Sequence, residues 1–488
     1  MGKEEEGVVG VTMKNHHHQR AGRQRLSTHE PSESESIRSE GGTFELSTEE
    51  DNEELECAGV AFFRKTIERD AMSLPQYAGA DLLLYVVRGE GRLGIVFPGC
   101  PETYREDEPS FQGRRSRRRS SERRGEEEDE DSSQKVRRIR RGDVIAIFAG
   151  AAYWSYNDGN EPLQIVAIAD TSNPQNQNRR DYSSFPLAGP ASSSGGGGRR
   201  EEEGEEERGR RGVGNNILAG FNTRTLAQSL DVELETARRL QQNQHSRFFA
   251  RVERGRRLSL PAPRSRSRSR SPYAGRQRQW GREDSENGVE ELVCPMRVKH
   301  NADNPEDADV YVRDGGRMNI VNRYKLPALK YLGLGAERVI LPGRASFVPS
   351  WRMNAHAIMY VTRGEGRIEV VGDEGRSVFD GRVKEGQFIV IPQFYAVVKQ
   401  AGEDGLEYIT FTTSDNSYRS TLAARQSVLK RCRGSVACGL QNRPKRSPSV
   451  MRNREHDTLI LPPSSSLSGS GRYQDQQQNV TSLLVQVA

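Results

Sequence analysis

The chain has 488 residues, a length that suggests two to four domains. Hydrophobic residues make up 33% of the chain and charged residues 29%, so we expect part of it to form solvated linkers rather than packed core. No apolar run approaches the length of a membrane-spanning helix, which excludes an integral membrane protein of that kind. The 73 basic and 68 acidic residues leave a net charge of +5, which gives only weak support for binding polyanions.

The first half of the chain alternates polar segments with short apolar runs. Residues 1–50 are mostly polar and are predicted to be a weakly ordered leader. An N-terminal β domain is predicted over 51–170, interrupted by a disordered insertion at 113–135, where an Arg/Ser block and a Glu/Asp block cannot bury a core. Its strands are expected at 59–63, 81–88, 92–97, 136–140, 143–148 and 163–169. Residues 171–214, rich in Gly, Ser, Glu and Arg, are predicted to be a disordered linker.

Helical periodicity is confined to one stretch, which predicts a helical arm over 215–250. Apolar residues recur there at steps of three and four, at Leu226, Leu230, Leu234, Ala237 and Leu240. Thr223 or Thr225 is expected to cap a first helix and Asp231 a second. Residues 225–240 also fit the spacing of a helix-turn-helix, the alternative being an ordinary helical connector packed on a neighbour.

The second half repeats this organisation. Residues 251–286 form an Arg/Ser-rich linker, and a C-terminal β domain is predicted over 287–422. Its strands are expected at 309–312, 336–341, 357–361, 367–371, 387–391, 396–399 and 406–412. Residues 423–488, rich in Ser, Gln and Arg, are predicted to be an unpacked polar tail.

The two β domains are versions of one another. YVVRGEGR (85–92) matches YVTRGEGR (360–367) at seven of eight positions, and RGDVIAIF (141–148) aligns with EGQFIVIP (385–392). Evenly spaced short strands with glycine turns indicate antiparallel sheets closed into a sandwich or barrel. The sequence therefore predicts an all-β protein with a duplicated double-stranded β-helix, short helical arms and charged linkers.

These segments also carry a family resemblance. The order of the glycines is similar to that of the cupin superfamily, and FPGCPET (97–103) and NGVEELVC (287–294), in that order, resemble an 11S (legumin-type) seed storage globulin. Matching segments span about 54–422. The resemblance implies two jelly-roll barrels of the cupin type.

Metal-using cupins hold manganese, iron or zinc with several histidines and a glutamate on facing strands. The corresponding stretch of the first half, 76–80, has no histidine, and Tyr153 stands where a later histidine would fall. The second half has one, His356, with Phe394 and Tyr395 in its later motif. We therefore expect no catalytic residue, metal or cofactor, and His356 is expected to line the barrel in hydrogen bonds with its neighbours. A metal-dependent cupin enzyme remains the least favoured alternative.

The resemblance assigns roles to several residues. It implies a disulfide between Cys100 and Cys294 that joins an acidic-type to a basic-type chain, and cleavage between Asn287 and Gly288 by an asparaginyl endopeptidase. Cys57 matches a family cysteine whose partner lies near the mature N-terminus, a position without a cysteine in this sequence.

The C-terminal tail departs from the family pattern. Residues 420–429 begin like the family's C-terminal helical arm, but the residues that follow no longer resemble it. Cys432 and Cys438 have no family counterpart. Asn479 stands in a glycosylation sequon, usable only if the tail enters the endoplasmic reticulum. The resemblance implies assembly with like subunits into trimers, and into hexamers after processing.

The function implied by the resemblance is nutrient storage: non-enzymatic deposition, followed by mobilisation through proteolysis. The alternative is an intracellular cupin scaffold whose Arg/Ser segments, 114–124 and 264–271, bind RNA or protein partners. No specific nucleic-acid or membrane partner is expected. The family's location is the protein storage vacuole, reached through the secretory pathway, although the segment MGKEEEGVVG (1–10) lacks the apolar core of a signal peptide.

Overall fold

The computed structural model describes residues 25–31, 35–97, 102–104, 134–173, 182–189, 216–241, 248–252, 296–428 and 458–463. These residues form two β-barrels in succession, which confirms the predicted all-β duplicated fold. No helix among them is long and apolar enough to span a membrane.

The N-terminal barrel is built from two sheets. Its strands are β1 (Glu35–Ser39), β2 (Gly42–Ser47), β3 (Val60–Ile67), β4 (Ala71–Ala78), β5 (Asp81–Arg88), β6 (Glu90–Val96), β7 (Glu102–Tyr104), β8 (Gln134–Arg140), β9 (Asp143–Ile147), β10 (Ala152–Tyr156), β11 (Leu163–Asp170), β12 (Ser184–Pro186), β13 (Phe249–Arg251) and β14 (Lys299–Asn301), with helix α1 (Glu53–Ala58) before β3. One sheet has the order β1-β2-β3-β11-β5-β9-β14, and the other β12-β4-β10-β6-β8-β7 with β13 beside β4. Among the described strands, β7 and β8 pair in parallel and the other pairs are antiparallel.

The C-terminal barrel is one continuous sheet of ten strands. They are β15 (Val310–Val312), β16 (Gly316–Val321), β17 (Gly335–Leu341), β18 (Ser346–Arg352), β19 (Ala357–Val371), β20 (Ser377–Lys384), β21 (Phe388–Ile391), β22 (Ala396–Thr412), β23 (Arg419–Thr421) and β24 (Ile460–Leu461), with helix α4 (Leu329–Leu332) between β16 and β17. Strands β19 and β22 are long and pair with each other along most of their length, with bulges at two points.

The repeated glycine turn has the same geometry in both barrels. Gly89, between β5 and β6, has φ +80°, and Gly364, at a bulge of β19, has φ +77°. A Cβ on Gly364 would lie 2.2 Å from the carbonyl oxygen of Gly405, and one on Gly89 would lie 2.7 Å from that of Pro162. Any larger residue would therefore collide with backbone as well as strain its own φ.

Aromatic stacking joins the two barrels. Phe62 on β3 stacks on Phe388 of β21 with ring centroids 4.5 Å apart and on Tyr360 of β19 at 5.7 Å. All three side chains are almost completely buried, and they belong to a single apolar cluster that spans both domains. The barrels therefore share a continuous apolar core at these residues.

A buried arginine sits at the same junction. The Arg338 side chain, 1% exposed, donates from Nε to Asp303 Oδ1 at 2.8 Å and also pairs with Glu407. Arg141 of the N-terminal barrel reaches both carboxylates, at 3.3 and 3.2 Å. Arg141, which is half exposed, therefore links the N-terminal barrel to the two carboxylates that pair with the buried Arg338.

The interpretation of residues 1–50 as weakly ordered is wrong for part of that stretch. Strands β1 and β2 form a hairpin added to the N-terminal barrel, with Phe44 and Leu46 of β2 buried. Earlier in the chain, Leu26 packs into the C-terminal barrel, where its N–H donates to the carbonyl of Val378. These few apolar side chains are spaced among Thr, Glu and Ser, which hides them in a compositional analysis.

The predicted unpacked tail also contributes a strand. Strand β24 pairs with β18, and Ile460 lies opposite Phe347 and is buried. Two apolar residues in a polar segment are too short a pattern to predict a strand, yet they cover an otherwise open edge.

The helical arm contains two helices, α2 (Thr223–Leu230) and α3 (Leu234–Gln241), preceded by the 3-10 turn Ile217–Gly220. The cap of α2 is Asn222, whose Oδ1 accepts from the N–H groups of Arg224 and Thr225, so the prediction of a threonine cap is wrong. Asp231 ends α2 in a left-handed conformation instead of capping α3. Asparagine tolerates the cap geometry as well as threonine does and comes one residue earlier.

Candidate functional site

The interior of the N-terminal barrel is occupied by neutral polar side chains at the positions considered for metal ligands. Gln76 on β4 and Tyr153 on β10 are register partners, and Gln76 Nε2 donates to Tyr153 Oη at 2.8 Å. Both are buried, and burial raises the pKa of Tyr153 to about 12. The Gln76 amide and the neutral Tyr153 phenol are therefore hydrogen-bonded to each other.

A buried lysine lies beside this pair. Lys65 of β3 is 3% exposed, and its Nζ donates to Ser73 Oγ at 3.1 Å. The ammonium lies 5.4 Å from the ring centroid of Tyr153 and 5.7 Å from that of Phe44. Burial lowers the pKa of Lys65 to about 7, because removing the ammonium from water penalises its charged form.

The C-terminal barrel encloses a cluster of ion pairs around Glu337 of β17. Arg352 of β18 binds both carboxylate oxygens, from Nη1 at 2.7 Å and from Nη2 at 2.6 Å, and Arg419 of β23 donates from Nη2 at 2.6 Å. Burial opposes ionisation of the carboxyl, but the two guanidinium groups outweigh it and hold the pKa of Glu337 far below its usual range. We call Arg352, Glu337 and Arg419 the buried triad.

A second buried lysine lies next to the buried triad. Lys399 of β22 is 3% exposed, and its Nζ lies 4.4 Å from the ring centroid of Tyr408 and 5.4 Å from that of Phe347. It donates to Tyr408 Oη at 3.3 Å. Burial, and then the positive charges of Arg419 and Arg352, lower the pKa of Lys399 well below its ordinary value.

His356 is half-buried in the turn before β19. Its N–H donates to Thr413 Oγ1 at 2.9 Å, and its Nδ1 accepts from the N–H of Gln393 at 3.3 Å. The neighbouring Phe394 is 66% exposed with φ +71°, whereas Tyr395 is buried. Over the ranges that the structure covers, no three His, Cys, Asp or Glu residues are grouped as a metal site would require. That this histidine binds no metal stays a prediction.

The predicted processing and disulfide residues lie outside the described residues. They are Cys100, Cys294, Asn287, Gly288 and Asn479, together with Cys432 and Cys438 and the Arg/Ser segments 114–124 and 264–271. Cys57, on α1, is described and half-buried. Burial raises the pKa of its thiol, and the adjacent carboxylates of Glu56 and Glu54 raise it further.

The helical arm presents apolar residues to solvent. Leu226 and Ala237 are buried between α2 and α3, but Leu230 and Leu240 are 46% and 40% exposed. Phe221, just before α2, is 56% exposed. The predicted apolar stripe is therefore divided between two helices, because the chain turns at Asp231. Part of the stripe is exposed to solvent in the single chain.

The charged barrel interiors were missed by the sequence analysis. Lys65 and Glu337 both occupy inward positions of strands whose other inward residues are apolar, as in Phe63 and Val339. A charge at an inward position of such an alternating pattern is the signal that could have located them. The pairing of Arg352 and Arg419 with Glu337 joins residues up to 82 positions apart and has no local signal.

Comparison with known proteins agrees with this architecture. A family model described as Cupin matches residues 26–187 and 300–436. The 11S globulin of Juglans nigra is 40% identical over 474 residues, covering 91% of each chain, and the 11S globulin seed storage protein 1 of Carya illinoinensis is 37% identical over 454 residues, covering 87% of each. The crystal structure of procruciferin, the 11S globulin from Brassica napus, superposes with a TM-score of 0.72 at 32% identity, covering 90% of this chain and 97% of that one. The chain belongs to the 11S globulin family of seed storage proteins, within the cupin superfamily.

Proposed function

We propose that the protein is a nutrient reservoir of the seed, without enzymatic activity, deposited as oligomers and mobilised by proteolysis. The observation that carries this proposal is the 40% identity to a storage globulin over 91% of the chain. A storage role asks for a stable scaffold whose loops can hold nitrogen-rich residues, and arginine carries four nitrogens. The identity to a storage globulin also supports deposition in the protein storage vacuole.

The barrel interiors support the same proposal. Glu337 is bound by two arginines, Gln76 by Tyr153, and Lys65 by a serine and two aromatic faces. Each of these groups has its hydrogen-bonding or charged partner within the barrel, so none of the three is presented to a substrate as a reactive group.

Maturation of the chain follows from the same proposal. Cys100 and Cys294 would form a disulfide, and cleavage between Asn287 and Gly288 by an asparaginyl endopeptidase would leave two chains joined by it. Asn479 would be glycosylated during passage through the secretory pathway. Support comes from the resemblance of FPGCPET and NGVEELVC to the family's segments.

The storage role is tested by the amount of the protein during seed development. Quantitative mass spectrometry of the source plant should find it among the abundant proteins of mature seeds, and should find its peptides depleted within days of germination. A constant low level through both stages, or abundance in tissues that store no nitrogen, would refute storage.

Assembly with like subunits is supported by the exposed apolar residues of the helical arm. Leu230→Glu, at the exposed end of α2, is expected to convert trimers into monomers, because it puts a charge into an apolar contact. Light scattering coupled to size-exclusion chromatography measures the change. Gln228→Glu adds the same charge to an exposed polar position of the same helix and should leave trimers intact. Trimers that persist in Leu230→Glu would place the contact elsewhere.

A further inference from the structure

A small cavity lies within the C-terminal barrel, beside the buried triad. Its volume is about 10 Å³, and its walls include Ser350, Trp351, Arg352, Tyr395, Lys399 and Arg419. Three of these side chains are cationic and come from three different strands, β18, β22 and β23. Positive charge therefore converges on this cavity from three strands of the barrel.

The charges around this cavity do not balance. Among the residues that the structure describes, Glu337 is the one carboxylate that pairs with the triad arginines, and it accepts from both Arg352 and Arg419. Over the described ranges no carboxylate pairs with Lys399, which faces a phenol oxygen and two aromatic rings. With Lys399 protonated the cluster carries two excess positive charges, and with Lys399 neutral it still carries one.

An excess positive charge in a buried cluster is costly unless a counter-ion accompanies it. The cavity is small, about 10 Å³, and partly open, so a compact ion suits it better than an extended organic acid. We propose that the cavity binds a single small monovalent anion of the halide class, held by Lys399, Arg352 and Arg419.

The N-terminal barrel provides an internal comparison. Its buried lysine, Lys65, donates to Ser73 and lies between aromatic rings in the same manner as Lys399. No arginine enters its hydrogen bonds or ring contacts over the described residues. The proposal therefore assigns a halide to the C-terminal barrel and none to the N-terminal one.

Bromide is the probe, because it has the charge of chloride and scatters X-rays anomalously. Crystals of the whole protein soaked in sodium bromide are expected to show an anomalous difference peak in the cavity. In solution, replacing gluconate by bromide at constant ionic strength should raise the Tm by about 2 °C at tenfold the Kd. Lys399→Met should abolish the rise, whereas Lys65→Met, the matched change in the other barrel, should retain it.

Two results would overturn the proposal. One is the absence of an anomalous peak from the cavity of wild-type crystals, which requires no variant to fold and would leave only water as the occupant. The other is a bromide-dependent rise in Tm of equal size in wild type and Lys399→Met, which would locate halide binding elsewhere on the protein.

Discussion

Glu337→Gln is expected to lower the free energy of unfolding at pH 7 by about 3–5 kcal/mol, because it leaves two buried guanidinium groups without their counter-charge. The substitution preserves shape, so the loss reports charge and not packing. Denaturant unfolding of the whole protein measures it. A double variant that adds Arg419→Met should recover part of the loss, since it removes one of the stranded charges together with its hydrogen bond to Glu337.

The pH dependence of this effect has a definite sign. The pKa of Glu337 is depressed in the folded protein, so its stabilising contribution is fully present above the ordinary pKa of a glutamate and is lost as the pH falls below it. The difference between wild type and Glu337→Gln should therefore shrink below about pH 4. Glu403→Gln, which breaks an exposed pair with Arg344, is the matched control and should behave like wild type. Equal effects of the two substitutions would contradict the role of the buried triad.

Lys65→Met is expected to stabilise the protein at acidic and neutral pH. A pKa lowered from 10.5 to about 7 corresponds to a penalty of roughly 4–5 kcal/mol on the charged form. Loss of the contacts with the rings of Phe44 and Tyr153 offsets about 1–2 kcal/mol of the gain. The net increase in the free energy of unfolding at pH 6 should be about 3 kcal/mol, measured by denaturant titration.

The sign follows from where the proton is bound. Between pH 7 and 10.5 the unfolded chain keeps a proton on Lys65 that the folded protein has released, so wild-type stability rises with pH across that window. The advantage of Lys65→Met should therefore be largest below pH 7 and fade toward pH 10.5. Lys330→Met, the same change at an exposed lysine, is the control for the loss of a lysine and should change the free energy of unfolding little. A pH-independent difference for Lys65→Met would mean that Lys65 is solvated in the native protein.

Strands with a continuous apolar run could be predicted from the sequence, whereas polar strands could not. Strand β5 was expected at 81–88 and is found at Asp81–Arg88, because both of its faces are buried. Strand β20 was missed, since only Val378 and Val383 of its eight residues are buried. Strand β4 was missed for a related reason: it contains Pro75, and its buried positions hold small or polar residues while its larger apolar ones are only partly buried.

Long-range pairing accounts for further differences in the fold. The runs at 396–399 and 406–412 were expected as separate strands, but they form the single strand β22, whose polar middle crosses between the two halves of the barrel. The hairpin of β1 and β2 and the strand β24 are held by pairing with an existing edge, not by their own composition. Neither effect is local, so neither is visible in a window of neighbouring residues.

The same division applies to the candidate site. That His356 is hydrogen-bonded to its neighbours could be anticipated, because it is a single histidine where a metal site needs several. The buried triad could not, because its charges come from strands β17, β18 and β23, and only the closed barrel brings them together. Lys65 is an intermediate case: its inward position could be predicted from the strand pattern, but the side chains that surround it could not.

The claim that the protein is a processed seed storage globulin is tested most directly by a denaturing gel of the protein from mature seeds, with and without reductant, and N-terminal sequencing of each band. We expect one band that separates on reduction into two, the smaller beginning at Gly288. That result would demonstrate both cleavage after Asn287 and a disulfide between the two chains. A single intact chain in both lanes would contradict the claim, because the protein would then not have been processed.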